Sequence, residues 1–96
     1  MARGDVISSA LASVSASVCA TIQPSASAEW VVKNIYYGGA VGFYVYDGTN
    51  AILFDSDGSA GGRFGCNILL TNTRYLVIKN TSAGAIYIGY DGLVLK

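Results

Sequence analysis

The chain has 96 residues, six basic and six acidic, with no histidine and two cysteines; 52% are hydrophobic and only 12% charged. A soluble domain usually carries roughly a quarter charged residues, so part of this surface is expected to be covered by a partner. The balanced charge leaves no footprint for nucleic acid or an anionic membrane; the missing histidine excludes Ser-His-Asp and Cys-His catalysis and, with only two widely separated cysteines, nearly excludes zinc.

The first third is rich in serine and alanine. Ile7, Leu11, Val14 and Val18 could form a weak amphipathic helix capped by Asp5. A stronger signal begins at Ser13, where Val14, Ala16, Val18, Ala20 and Ile22 alternate with Ser13, Ser15, Ser17, Cys19 and Thr21. That period of two predicts a strand over 13–23, stopped by Pro24. Residues 1–12 then become an N-terminal arm, of the kind left unordered or laid across a neighbouring subunit, and 13–96 the folded domain. Asp5 and the interleaved serines break any signal-peptide run, so the chain is expected to fold in the cytosol with both cysteines free. The strand phases place Cys19 on the serine side and Cys66 on a face with Phe64, Ile68 and Leu70, in different layers.

Further strands are predicted at 29–37, 41–46, 51–55, 64–71, 74–80, 85–90 and 93–96. Between them lie Gly38-Gly39, Asp47-Gly48-Thr49-Asn50, Asp57-Gly58 through Gly62, Asn72-Thr73, Ser82 to Gly84 and Asp91-Gly92. About eight short antiparallel strands with no helix between them predict an all-β, single-domain β-sandwich of jelly-roll type, with an up-and-down barrel as the alternative. One pattern occurs twice: Val32-Lys33-Asn34 leading to Tyr46-Asp47-Gly48, and Ile78-Lys79-Asn80 leading to Tyr90-Asp91-Gly92. Each copy reads as a hairpin ending in an Asp-Gly turn. Trp30, Phe43, Phe54, Leu69 and Ile78 are the expected core anchors.

Chemistry-bearing motifs are sparse. Asp55-Ser56-Asp57-Gly58 resembles the start of a calcium loop, but Ala60 to Arg63 add no carboxylate, so turn formation is the preferred reading and no metal or cofactor is assigned. Glu29 and Asp55 are the only candidate carboxylate pair for glycoside hydrolysis, and nothing in the sequence sets them across a cleft. The Gly38-Gly39 and Gly61-Gly62 pairs lack the lysine and helix of a phosphate loop. Asn80-Thr81-Ser82 matches a glycosylation acceptor and is read as a turn. No catalytic function is therefore expected.

Seven tyrosines suit both a wet surface and a buried interface. Tyr44 and Tyr46 share one face of their strand and Val41, Phe43 and Val45 the other. Tyr37, Tyr44, Tyr46, Tyr87 and Tyr90 are the expected interface residues. Tyr46, Asp47 and Asn50, with the copied Tyr-Asp-Gly turn, could instead form paired sugar sites of a lectin.

Taken in order, Ile22-Gln23-Pro24, Glu29-Trp30-Val31-Val32, Asn34-Ile35-Tyr36, the run from Tyr46 to Asp57, Thr71 to Asn80, and Ile88 to Gly92 resemble small β-structured virion proteins of tailed bacteriophages. The likeness spans about residues 20–95. It implies a structural component of the particle, located in the virion after assembly in the host cytoplasm. Capsid decoration is the favoured role, with the major capsid protein or other virion proteins and further copies of itself as partners. A receptor- or carbohydrate-binding module of a tail fibre or tail tip, or a neck or tail accessory protein, is the alternative.

Overall fold

The computed structural model describes residues 2–96, and among them there are strands and turns but no helix. Nine strands run in chain order: β1 (Val6–Ser8), β2 (Ala12–Val14), β3 (Cys19–Ile22), β4 (Glu29–Tyr37), β5 (Val41–Tyr46), β6 (Ala51–Asp57), β7 (Gly61–Thr71), β8 (Tyr75–Asn80) and β9 (Ile86–Val94). They form two antiparallel sheets rather than one closed barrel. Sheet A has the order β1-β9-β4-β7, with β2 also on β9; sheet B has the order β3-β8-β5-β6.

The core fills the space between the sheets. Val14, Val32, Ile35, Tyr37, Leu70 and Ile88 enter from sheet A, and Ile22, Val41, Phe43, Leu76 and Ile78 from sheet B. Each set follows the pleat, in which alternate side chains point to one face. Phe43 and Ile78 are buried, as expected, whereas Phe54 is about half exposed, at 48%, and Leu69 is 60% exposed. Phe54 is the extra residue of an irregularity in the β5–β6 pairing, where Phe43 faces Asp55 and Tyr44 faces Leu53, and its ring lies 6.3 Å from that of Phe43 without being buried by it. Leu69 points outward because its neighbour Leu70, opposite Trp30, takes the inward position. Trp30 packs against the core, and its indole Nε1 is buried without an acceptor among the described residues.

The strand expected over 13–23 is two strands in different sheets. β2 pairs with β9, β3 pairs with β8, and between them Ser17 adopts a φ of 65° while the Val18 amide donates to Ser15 O at 3.1 Å. The alternation survives on both sides of this corner, which is why the sequence reads as continuous. The arm expected over 1–12 is also part of the sheet: Val6–Ser8 pair with Asp91–Leu93 of the same chain, and Ile7 is buried.

Asn80 holds the corner together. Its side chain is 0% exposed; Nδ2 donates to Val14 O at 2.8 Å and Gly84 O at 2.9 Å, and Oδ1 accepts from the Ser82 amide and hydroxyl. Its backbone bonds both Ser17 and Val18. One side chain thus ties the end of β2 to the β8–β9 connection, and its burial keeps the amide of the Asn-Thr-Ser triplet away from any modifying enzyme in the folded chain.

Asp91-Gly92, expected as a turn, lies inside β9. Lys33 is an extra residue in β4 between Val32, opposite Gly92, and Asn34, opposite Asp91. The backbones approach so closely there that a Cβ on Gly92 would overlap Val31 O. Glycine serves here for clearance, not for turning. The first copy of the motif does turn: Asp47 Oδ1 accepts from the Thr49 and Asn50 amides at 2.9 and 2.6 Å.

Replacing Asn80 with Ala leaves several corner groups without partners and is expected to cost about 2–3 kcal/mol in urea unfolding, while Thr81→Ala, at an exposed neighbour, stays within about 0.5 kcal/mol.

Candidate interaction surfaces

The extra residue Lys33 decides which tyrosines are presented. Strict alternation from Trp30 and Val32 would send Tyr36 inward and Tyr37 outward. The bulge reverses this, so that Ile35 and Tyr37 face the core while Asn34 and Tyr36 face out. Tyr37, expected at an interface, is only 4% exposed. Its ring meets Phe43 edge-on at 5.5 Å and its hydroxyl donates to Asp57 Oδ2 at 2.6 Å, joining β4 of sheet A to β6 of sheet B.

The calcium-like carboxylates belong to the same junction. Arg63 of β7 pairs with Asp55 at 3.0 Å and with Asp57 at 3.7 Å, donates to Ser56 O, and lies over the Phe43 ring at 5.7 Å. Among the described residues no group of three metal-ligating side chains occurs. Asp55 and Asp57 close the β6–β7 side of the sandwich. Glu29 stands at the start of β4, whereas Asp55 lies on edge strand β6 of the other sheet, hydrogen-bonded to Arg63.

Tyr90 also departs from expectation. It sits on the inward phase of β9, packs against the core, and lines an inter-sheet gap with Val14, Ala20 and Ile22; burial pushes its phenol pKa upward. Tyr44, Tyr46 and Tyr87 do reach the surface, but on opposite sides of the molecule. The Tyr46 and Tyr90 copies are therefore not equivalent: one borders the open face of sheet B and the other the inter-sheet gap.

Tyr87 belongs to the outer face of sheet A, which is apolar for most of its width. Val6, Leu93, Val31 and Leu69 are successive cross-strand neighbours from β1 through β9 and β4 to β7. Beside this row Phe64 meets Tyr36 edge-on at 5.8 Å, and Leu11 lies over Gly89. Phe64 is 70% exposed, Tyr87 61% and Leu69 60%. An antiparallel sheet with one face on a core normally puts polar side chains on the other. Here Val6, Leu11, Phe64, Leu69 and Tyr87 stand there instead, and exposed apolar side chains grouped on one face commonly mark an interaction site. A polar centre interrupts it: Asp91 accepts from Asn34 Nδ2 at 2.7 Å and from the Tyr36 hydroxyl at 2.8 Å. That bond, ahead of burial, raises the Tyr36 pKa.

The outer face of sheet B is different in kind. Tyr44, Tyr46 and Tyr75 border a depression of about 610 Å³ with Thr21, Gln23, Val77 and Lys79. Tyr75 was not singled out from the sequence; the signal was its place directly across the β5–β8 pairing from Tyr46. Cys19 lies on this face and Cys66 in sheet A, both as free thiols. No protein-family model matches the chain, and no curated protein matches it in sequence.

The Tyr37–Asp57 contact gives the fold two pH limits. Burial first, then the bond to Asp57, pushes the Tyr37 phenol up to about 12, above the roughly 10 of an unfolded tyrosine. Its contribution is complete below pH 10 and is lost as pH rises from 10 through 12. Asp57 is held below the usual carboxylate range, first by the Tyr37 hydroxyl, then by the Ser59 amide and Arg63. Its contribution is present above about pH 4 and lost as pH falls through the depressed value. Tyr37→Phe is expected to lower stability by about 1–2 kcal/mol at pH 7 and to flatten both limbs of a urea-midpoint profile against pH; superimposable profiles would refute the assignment.

Proposed function

We propose that this chain is a non-enzymatic structural protein of a bacteriophage particle, a decoration protein that sits on the outside of the head and stabilises it. The observation that carries the reading is the apolar outer face of sheet A. A chain with so few charges that still presents Val6, Leu11, Phe64, Leu69 and Tyr87 to water is built to be covered. The strand orders β1/β2-β9-β4-β7 and β3-β8-β5-β6 support the jelly-roll form of the sandwich, an arrangement found in viral capsid and lectin domains.

The mechanism is adhesion multiplied by symmetry. Sheet A rests its outer face on the major capsid protein or on neighbouring copies, and contacts that are modest singly become durable when many are made at once. The contact is made through side chains of the sheet face, and on the β6–β7 side the strand edges are ill suited to pairing with a further strand. Both edges on the β6–β7 side carry irregular pairing, and β7 is further kinked at Gly65 and Asn67, where φ is 66° and 53°. Bulged edges are poor templates for continuing a ladder. A receptor-binding module of the tail is the second reading, favoured by the tyrosine-lined depression on sheet B.

Quantitative mass spectrometry of purified particles separates the two. A signal of the same order as the major capsid protein is expected for decoration, a few dozen copies would move the chain to the tail, and absence from particles would remove both. In a binding assay on undecorated heads, Phe64→Ser with Leu69→Ser is expected to weaken attachment by about 10- to 100-fold while leaving the unfolding midpoint of these exposed positions nearly unchanged.

A further inference from the structure

The depression on sheet B has a chemistry that adhesion to a shell does not use. Its volume of about 610 Å³ falls within the roughly 300–1,000 Å³ of small-ligand clefts. The Tyr46 and Tyr75 rings stand 5.4 Å apart and are inclined at 55°, so neither ring covers the other. Tyr44 lies over Gly42, where a Cβ would come within 3.4 Å of its ring, and the missing side chain lets the ring settle onto the sheet. Among the described residues the hydroxyls of Tyr44, Tyr75 and Thr21 and the Lys79 ammonium bond to no protein group. Gln23 is held in place by donating Nε2 to Asn72 O at 2.7 Å. No carboxylate lines the depression, and Lys79 is its one charged group.

We propose that this depression binds an oligosaccharide, with Tyr44, Tyr46 and Tyr75 as stacking surfaces and Thr21, Gln23 and Lys79 as the groups that recognise hydroxyls. A pyranose ring has C–H faces and a rim of hydroxyls. The electron-rich face of a tyrosine attracts the weakly positive C–H groups, and short polar side chains around it bond the rim. Both components are present here within one concavity, on the face turned away from the apolar patch. The lone ammonium, with no acidic side chain beside it, admits uronic and other acidic sugars and disfavours cationic ones. A decoration protein seated on sheet A would thus hold its sugar site away from the shell, toward whatever surface the particle meets.

The test uses the isolated chain, so its outcome is independent of any location on a particle. Native electrophoresis is run through gels containing dextran, hydroxyethyl cellulose, xylan or polygalacturonate, alongside an array of bacterial surface glycans. Retardation in at least one gel, or a bound array spot, is expected. Affinity for the same probe should fall about tenfold or more in Tyr44→Ala and Tyr75→Ala, persist within about threefold in Tyr75→Phe, which keeps the ring, and be unaffected by Leu69→Ser on the opposite face. Should an alanine variant fail to fold, amide shifts of the unmodified chain on titration with the same probe decide the matter: they must centre on Thr21, Val77 and Lys79. No binding to any gel or array glycan, shifts centred elsewhere, undiminished affinity in the folded alanine variants, or binding only of a proline-rich peptide would overturn the assignment.

Discussion

The fold depends on one buried amide. The chain leaves sheet A after Val14 and must enter sheet B by Cys19, and a corner that sharp strips backbone groups of their ladder partners. Asn80 supplies what is lost, through two donated bonds, two accepted bonds and its own backbone, from a position wholly inside the protein. A buried polar group costs stability unless it is fully bonded, and full bonding requires β2, the corner and the β8–β9 connection to be in place together. Asn80 thereby makes the assembly of the two sheets conditional on each other. An apolar residue of similar size would fill the space but would not choose this crossing.

A second constraint, the extra residue at Lys33, determines what the outside looks like. Because side chains alternate with a period of two, one inserted residue exchanges the faces of everything beyond it. It sends Tyr37 into the core and brings Asn34 and Tyr36 to the surface beside Asp91. The same insertion draws β4 and β9 together and makes glycine necessary at 92. The polar centre of sheet A's outer face follows from this irregularity, while the inward placement of Arg63 also depends on β7, which carries Gly65, Cys66 and Asn67 between Phe64, opposite Asn34, and Ile68, opposite Val32.

What the sequence disclosed and what it hid divide along this line. β4 and β5 were legible to the residue, and β8 to within one, because each is a run of β-branched and aromatic residues between clear turn signals. The separation of Tyr44 and Tyr46 from Val41, Phe43 and Val45 was legible for the same reason. The corner at Ser15 to Val18 was not, since serine and alanine alternate through it without a break and sequence spacing carries no record of which partner strand each half meets. The bulge at Lys33 was hidden because no glycine or proline marks it on β4; the mark is Gly92, on the partner strand, where Asp-Gly imitates a turn. Tyr75 completes the aromatic border, yet sequence spacing does not show it, because its partner Tyr46 is 29 positions away and only the pairing register joins them.

The chain closes on itself at one vertex. Gly4 donates to Val94 O, Val94 returns a bond to Asp5 O, and Lys96 O accepts from Glu29 at the start of β4. Whatever polypeptide precedes residue 4 or follows residue 96 must depart from this common point. Cargo grafted before or after the domain would share one exit, and a short bridge could join the two ends while the backbone is reopened at the exposed Gly58-Ser59-Ala60 bend. The topology is thus suited to circular permutation, with both sheets, the corner and the tyrosine depression left undisturbed.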